Sequence, residues 1–395
     1  MLNFEYKNRT HLVYGKDTQG RVGELVKKYG GTKVLLHYGG GSIKRSGLYD
    51  TVVAALKEEQ IDFVELGGVK PNPRVELVRE AVKICKEEKV DFILAVGGGS
   101  VIDSAKATAL GAKYDGDVWD FYKGGLKAKD ALTLATILTL PATGSESSYN
   151  SVITNEAEGR KLGYADDLIR PIFSIVNPEM FFTLPKDQIA NGVCDMMSHI
   201  FERYFTNTLH TDLIDGLCEA TLKTVIKNAP KLMENPCNYD AWFEVGYAGT
   251  IAHNNLLGIG REQDWASHKL EHELSAIYDV AHGAGLSVIT PAWMKYVYKE
   301  NIGMFVQFAV NVMGVEMSFR EPEAICLEGI RRLTEFFRSL GLPVTLSELG
   351  VPHENYELMA KKACRIVDGK PVKLGGLKKL DWPDCVEIYK LAENA

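Results

Sequence analysis

The stretch from Asp91 to Lys106, DFILAVGGGSVIDSAK, decides the fold. Six mostly apolar residues end in three glycines and a serine, and a helix-forming run follows at once. Glycine permits positive φ and lets backbone N–H groups come close to a ligand. The N-terminus of the next helix adds a partial positive charge suited to phosphate. The same tetrapeptide recurs at Gly39–Ser42, after the apolar run Lys33–Tyr38 (KVLLHY). Around these two turns, Gln19–Tyr29, Leu48–Glu59, Arg74–Glu88 and Ser104–Ala112 read as helices. Asp62–Leu66 and Thr133–Leu140 read as strands, and the short runs Phe4–Tyr6 and His11–Tyr14 could pair. Strand, glycine turn and helix in repetition predict an α/β domain with a parallel sheet. Apolar strands are expected where both sheet faces are covered.

From about Pro185 the pattern changes. Gln188–Phe205, Asp212–Asn228, Tyr239–Leu257, Gln263–Tyr278, Pro291–Tyr298, Pro322–Leu340 and Glu354–Val367 carry helical periodicity. An α/β domain over residues 1–186 and an all-α domain over 187–395 are therefore expected, with the active site in the cleft between them. Charge divides at the same place: up to Lys186 there are 25 Lys+Arg against 24 Asp+Glu, and beyond it 20 against 28. The acidic balance disfavours nucleic acid and anionic membranes as partners. No apolar run is long enough to cross a bilayer, and the first residues lack the apolar core of a signal peptide, so a cytoplasmic protein is expected. Seven cysteines without a CxxC spacing point to reduced thiols, not to a disulfide framework or a zinc knuckle.

In an open α/β sheet, ligands lie beyond the carboxyl ends of the strands, where both GGGS turns fall. The turn at Gly97–Ser100 reads as a pyrophosphate cradle; a tight structural turn is the alternative. The turn at Gly39–Ser42 carries no acid of the kind that binds the 2′-OH of NAD. Ser42 can donate to a 2′-phosphate. Lys44 and Arg45 add positive potential, or are the solvated start of a helix. This favours NADP(H) over NAD(H).

The helical half carries a second constellation. Asp195 and His199 are spaced i, i+4, which places them on one helix face about 6 Å apart. His268 and His272 repeat that spacing, and His282 precedes Gly283, where a new helix is expected. One carboxylate with two or three imidazoles suits Zn²⁺ or Fe²⁺, not Ca²⁺ or Mg²⁺. Hydrogen-bonded histidines on helix faces are the alternative.

Taken together, YGGGSIKRSGLYD, GGVKPNPR, AVGGGSVIDSAKA, LTLPATGSESS, NGVCDMMSH and WASHKLEHELSAIYDVAHGAGL resemble the iron-containing alcohol dehydrogenase family, in its butanol dehydrogenase type, over essentially the whole chain. The resemblance implies a dehydroquinate synthase-like architecture: a dinucleotide-binding domain followed by a helical metal-binding domain. It makes Asp195, His199, His268 and His282 the ligands of one divalent metal, Fe²⁺ or Zn²⁺, and His272 a proton carrier close to it. Gly98, Gly99, Ser100 and Asp103 match the pyrophosphate turn, and Thr139, Thr143 and Ser145 a second cofactor strip. Asn72 falls near the adenine side, Lys161 matches a lysine that supports a 2′-phosphate, and Gly39, Gly41 and Ser42 match the 2′-phosphate turn. A homodimer joined through N-terminal strands is implied as well.

The expected reaction is hydride transfer between NADP(H) and a short primary alcohol or aldehyde such as butanol or butanal. An NADH-preferring butanol dehydrogenase or a glycerol dehydrogenase-like polyol enzyme would share the architecture. A metallohydrolase would need no GGGS turns, and a redox sensor without turnover would need no intact ligand set. Leu256, Leu257 and Trp265 could line a substrate pocket or serve as helix core.

Overall fold

The structure, a computed structural model, describes residues 1–364, 366–367 and 370–394. It divides into two compact units: Lys7–Leu184, and Pro185 onward joined by Met1–Tyr6.

The first unit is built on a six-stranded sheet in the order β1-β8-β5-β4-β2-β3. Its strands are β1 (His11–Tyr14), β2 (Lys33–Tyr38), β3 (Asp62–Leu66), β4 (Phe92–Gly98), β5 (Thr133–Leu140) and β8 (Phe173–Val176), all parallel. A separate antiparallel hairpin pairs β6 (Asn150–Asn155) with β7 (Arg160–Ala165). The connecting helices are α1 (Val22–Lys28), α2 (Ser42–Arg45), α3 (Leu48–Glu58), α4 (Val75–Glu87), α5 (Gly99–Ala112) and α6 (Trp119–Lys123).

The period of two along the strands sorts side chains onto two faces. Val34, Leu36, Phe92, Leu94 and Val96 form one core cluster with Val22, Leu25 and Val26 of α1 and Val52 and Leu56 of α3. The residues between them point to the other face, where His37 Nε2 meets Ser104 Oγ of α5 at 2.8 Å. Both faces are thus covered, which is why Leu35, Ile93 and Ala95 are as buried as their neighbours.

Several expectations are corrected. The run Phe4–Tyr6 forms no strand and does not pair with β1; β1 instead lies beside β8, His11 opposite Phe173. Gln19–Tyr29 splits into a 3₁₀ turn, Thr18–Arg21, and α1. The helix after the second GGGS begins at Gly99, five residues before the expected start, because Gly97 and Gly98 complete β4.

The second unit is helical. Its elements are α7 (Lys186–Tyr204), α8 (Asp212–Glu234), α9 (Tyr239–His253), α10 (Ala266–Tyr278), α11 (His282–Val297), α12 (Ile302–Asn311), α13 (Pro322–Ser339), α14 (Tyr356–Ala363) and α15 (Trp382–Leu391). From Gly192 to Tyr204 every residue of α7 is buried, the mark of a central helix. It packs against α8, α9 and α11. The helix expected from Pro291 begins at His282, so Pro291 lies inside α11. Of the helix expected over Glu354–Val367, α14 covers only Tyr356–Ala363; Ile366–Val367 instead form a short strand antiparallel to Lys370–Pro371, and Arg365 lies outside the described residues. No helix among the described residues is long and apolar enough to cross a membrane.

Candidate active site

In the α/β unit, the chain leaves β2 toward β3 on one side and resumes at β4 on the other. Connections therefore diverge at the carboxyl ends of β2 and β4, the point where such sheets bind ligands. Both GGGS motifs lie there. The Gly68 N–H donates to the Gly39 carbonyl at 3.0 Å. A Cβ at Gly39 would lie 3.4 Å from the Val69 carbonyl oxygen and 3.7 Å from Val101 of α5, so this turn is packed beside the α5 start. A Cβ at Gly99 would meet Thr143 Oγ1 at 2.4 Å. Glycine at 99 is thus what lets the loop after β5, with Thr143 and Ser145, approach the first turn of α5. That turn carries Ser100 and the free N–H groups of a 14-residue helix. Thr139 lies near the carboxyl end of β5 and is half-buried.

Asp103 occupies the next turn of α5, where both of its oxygens are used internally. Oδ1 accepts from Ser145 Oγ at 2.6 Å and Oδ2 from the Val152 N–H at 2.9 Å, and burial raises its pKa. One turn further, the ammonium of fully buried Lys106 donates to the carbonyls of Ser145, Ser148 and Asn150 and to the hydroxyls of Ser145 and Ser148, at 2.8–3.2 Å. Burial pulls its pKa down to about 7 against the attraction of Asp103 and Glu146. Lys106, without an assigned role in the sequence reading, therefore anchors the whole loop that carries Ser145.

Of the residues expected on the adenine side, the Asn72 turn and the hairpin that carries Lys161 are joined. Asn72 adopts φ +52, a left-handed conformation that asparagine tolerates better than most residues. The Thr154 N–H donates to the adjacent Pro73 carbonyl at 2.8 Å, and Thr154 stands opposite Lys161 in the hairpin. Gly41 has φ +99 and precedes Ser42 at the start of α2. Lys44 faces the rings of Tyr38 and Tyr49 at 5.1 and 4.6 Å and Glu65 at 3.8 Å, so its charge is already engaged.

In the helical unit, the expected ligands surround one atom. Asp195 Oδ1 is buried and has no hydrogen-bond partner. His199 Nδ1, His282 Nε2 and His268 Nε2 lie 3.5, 3.7 and 3.9 Å from it. These separations are too long for hydrogen bonds. Those of Asp195, His268 and His282 fit a shared ion, since tetrahedral bonds of about 2.1 Å put ligand atoms about 3.4 Å apart; His199 Nδ1 stands outside that group, closer to His268 Nε2 than two ligands of one ion would be. Asp195, His268 and His282 form one such group of donors, and Glu271, His272 and His282 a second, overlapping one. The donor set fits Fe²⁺ or Zn²⁺. The rings of His272 and His282 are 5.6 Å apart.

Close helix packing creates this convergence. A Cβ at Gly283 would lie 2.2 Å from the Asn191 carbonyl oxygen of α7, and one at Gly285 would lie 2.7 Å from Glu271 Cγ of α10. Two glycines after His282 thus allow α11 to start against both other ligand-bearing helices.

Two carboxylates absent from the sequence reading hold the imidazoles from behind. Glu202 Oε1 accepts from His268 Nδ1 at 2.8 Å, from the His268 N–H at 3.0 Å and from Ser267 Oγ at 2.8 Å. Glu271 accepts from His282 Nδ1. Such partners orient a ligand histidine and raise its basicity. Their spacing was a usable signal: Glu202 follows His199 by three residues and Glu271 follows His268 by three, each on the ligand-bearing face. Burial opposes a charge on His268, but Asp195 and Glu202 outweigh it and raise its pKa to about 9. Burial and the neighbouring His253 and His268 drive His199 well the other way. His268 Nε2–H accordingly donates to His199 Nδ1 at 2.7 Å.

Residues 9–178 match the family described as iron-containing alcohol dehydrogenase, and residues 189–390 match its C-terminal domain. The chain belongs to the iron-containing alcohol dehydrogenase family. It is 44% identical over 391 residues to NADH-dependent butanol dehydrogenase A of Clostridium acetobutylicum, covering 99% of both chains. It is 37% identical over 366 residues to the NADPH-dependent aldehyde reductase YqhD of Escherichia coli, covering 92% of this chain and 93% of that one. The crystal structure of NADH-dependent butanol dehydrogenase A from Thermotoga maritima superposes with a TM-score of 0.96 at 42% identity, covering 100% of this chain and 99% of that one. The protein is thus an alcohol oxidoreductase of a family that uses a divalent metal and NAD(P).

Two predictions follow from these contacts. Because His268 must release a proton to act as a ligand, Zn²⁺ binding near pH 7 should release about one proton, and affinity should rise about tenfold per pH unit until about 9. Calorimetry in two buffers of different ionisation enthalpy measures this; a heat independent of buffer refutes it. The sign reverses for the metal-free fold. There the raised pKa contributes stability that is complete below 6.5 and is lost as pH rises through about 9. Lys106→Met should cost about 3–5 kcal/mol in urea denaturation, since it leaves three buried carbonyls without their donor and removes the cation that attracts buried Asp103. A loss below about 1 kcal/mol would contradict the anchoring role.

Proposed function

We propose that the protein reduces a short aliphatic aldehyde such as butanal to its primary alcohol, and reverses the reaction, with NADP(H) preferred over NAD(H). The convergence of three imidazoles on the orphaned Asp195 oxygen carries this reading. Asp195, His199, His268 and His282 would hold the divalent metal. Gly98, Gly99, Ser100, Thr139, Thr143 and Ser145 would receive the pyrophosphate side of the cofactor; Asn72, Lys161, Gly39, Gly41 and Ser42 would receive the adenosine side. When bound, the metal supplies Lewis acidity to the carbonyl oxygen and the nicotinamide supplies the hydride.

The chain's own residues do the rest. Glu202 and Glu271 keep the Nδ1 protons of His268 and His282 in place, so each ring offers Nε2 to the site. His272 is half-buried beside His282 and is placed to pass a proton from water to the product oxygen. Asp103 contributes indirectly, by fixing Ser145 and β6 at Val152.

The NADP(H) preference rests on a turn without an acid, with Ser42 and Arg45 beside it. A second reading, NADH preference, is favoured by relatives at 42–46% identity that are named as NADH-dependent butanol dehydrogenases, two of Clostridium acetobutylicum and two of Bacillus subtilis. The two readings separate in one assay. Loss of absorbance at 340 nm with butanal and Fe²⁺- or Zn²⁺-loaded protein should give a higher kcat/KM with NADPH than with NADH. His268→Ala should abolish turnover, and His272→Gln should lower kcat with an altered pH profile. A higher kcat/KM with NADH rejects the cofactor preference, and full activity of His268→Ala rejects the metal mechanism.

A cytoplasmic homodimer completes the proposal. All seven cysteines are free thiols, which suits a reducing compartment. Leu2, Phe4 and Tyr6 alternate along the first residues and are exposed, as a segment that adds to a second copy requires. Light scattering should return about twice the 43.7 kDa chain mass. Deletion of residues 1–6 should return the single mass; a monomeric intact chain contradicts the dimer.

A further inference from the structure

Trp265 precedes α10 with φ +67 and ψ +11. A bulky aromatic residue rarely occupies this left-handed region, whereas glycine does so without strain. Strain of this kind persists where the surrounding structure over-determines it, and it clusters at functional sites. The surroundings of Trp265 show what imposes it.

Its backbone N–H donates to Glu202 Oε2 at 2.6 Å. The other oxygen of the same carboxylate holds the His268 ring and the His268 N–H. One buried carboxylate therefore sets both the backbone of Trp265 and the orientation of an imidazole. The indole Nε1–H donates to Gln263 Oε1 at 2.9 Å, which fixes the ring's direction. So directed, the indole stands edge-on to three imidazoles. Ring centroids are 5.2 Å away for His268, 5.8 Å for His199 and 5.7 Å for His253, with interplanar angles of 65°, 70° and 88°. The guanidinium of Arg203 lies 4.8 Å from the indole centre. Arg203 itself donates to the His199 carbonyl at 2.7 Å and meets His253 Nδ1 at 3.1 Å. Since a guanidinium only donates, His253 Nδ1 must accept, and Nε2 carries the proton of that ring. Edge-to-face and cation–π contacts both have directional optima. One indole thus ties together two of the four converging donors, the arginine behind one of them and a third histidine.

We propose that Trp265 is a positioning residue of the metal centre: its indole fixes the ring planes of His199 and His268, and the left-handed backbone is the conformation that aims it there. This rests on the reading of Asp195, His199, His268 and His282 as metal ligands.

Co²⁺ titration of the metal-free protein, followed by its visible d–d absorption, tests the proposal without reference to turnover. Trp265→Phe keeps an aromatic edge and should bind close to wild type. Trp265→Leu and Trp265→Gly should bind at least about tenfold more weakly, the scale seen when outer-shell partners are lost. Trp265→Gly should also lose less melting temperature in the metal-free state than Trp265→Leu, because glycine releases the backbone strain. Wild-type Co²⁺ affinity in either the Leu or the Gly variant overturns the proposal, as does a Phe variant as weak as Leu. Failure of the underlying reading looks different: wild-type protein would then bind no Co²⁺, or His268→Ala would bind it unchanged, and the proposal would fall with it.

Discussion

A single carboxylate oxygen, Asp195 Oδ1, is buried without a hydrogen bond among three imidazole nitrogens. A buried charge left in that condition is costly and is normally paired or bound to a metal. The helical unit is arranged around that requirement. The central helix α7 brings Asp195 and His199 inside, on a segment buried on every side. Helices α10 and α11 must then approach closely enough to deliver His268 and His282. Gly283 and Gly285 make the approach possible, because a side chain at either position would collide with α7 or α10. The two glycines after His282 are therefore as much a part of the site as the ligands.

Charge around this centre is concentrated as well. Asp195, Glu202 and Glu271 bring three carboxylates into a buried volume, and the guanidinium of Arg203 is buried beside them. A divalent cation held by the proposed ligands would offset part of that negative charge, since each member alone is costly to desolvate. The second half of the chain also holds a separate buried pair, Arg261 with Asp215 at 2.5 Å, and many surface ion pairs.

The readable parts of the sequence were those in which one local cause dominates. Parallel strands covered on both faces are apolar throughout, so β2, β4 and β5 stood out. The GGGS turns stood out because only backbone chemistry explains three glycines at a strand end. The histidines that converge on Asp195 were singled out by the i, i+4 pairs Asp195/His199 and His268/His272 and by His282 before Gly283. The missed features depend on contacts that periodicity does not encode. The hairpin β6–β7 is short and half polar, and β8 has only four residues. Pro291 resembled a helix start because proline suits a first turn, yet α11 carries it in the interior. Helix α15 did carry a signal in Asp381 and Asp384, which form a capping box around Trp382 and Pro383. The role of Lys106 was invisible because its partners, Ser145 to Asn150, lie far away in sequence; Glu202 had the spacing to His199 as a signal, but its contacts with Trp265 to His268 are equally distant.

The same distinction bears on cofactor choice. Read along the sequence, Lys44 and Arg45 offer two cations to a 2′-phosphate. In the fold, Lys44 is shared with Glu65, whose carboxylate also accepts from the Tyr38 hydroxyl at 3.0 Å. A lysine that neutralises a nearby carboxylate cannot contribute its whole field to a phosphate. Arg45 is placed differently: its Nη1 lies 3.9 Å from where a Cβ at Gly41 would stand, directly beside the turn. Under the proposed NADP(H) preference, recognition of the extra phosphate therefore falls to Arg45, the Ser42 hydroxyl and the backbone of the turn, with Lys161 on the hairpin side. Lys44 instead keeps Glu65 from repelling the phosphate. A selectivity built from one exposed arginine and the cancellation of one carboxylate is modest and easily shifted by single substitutions.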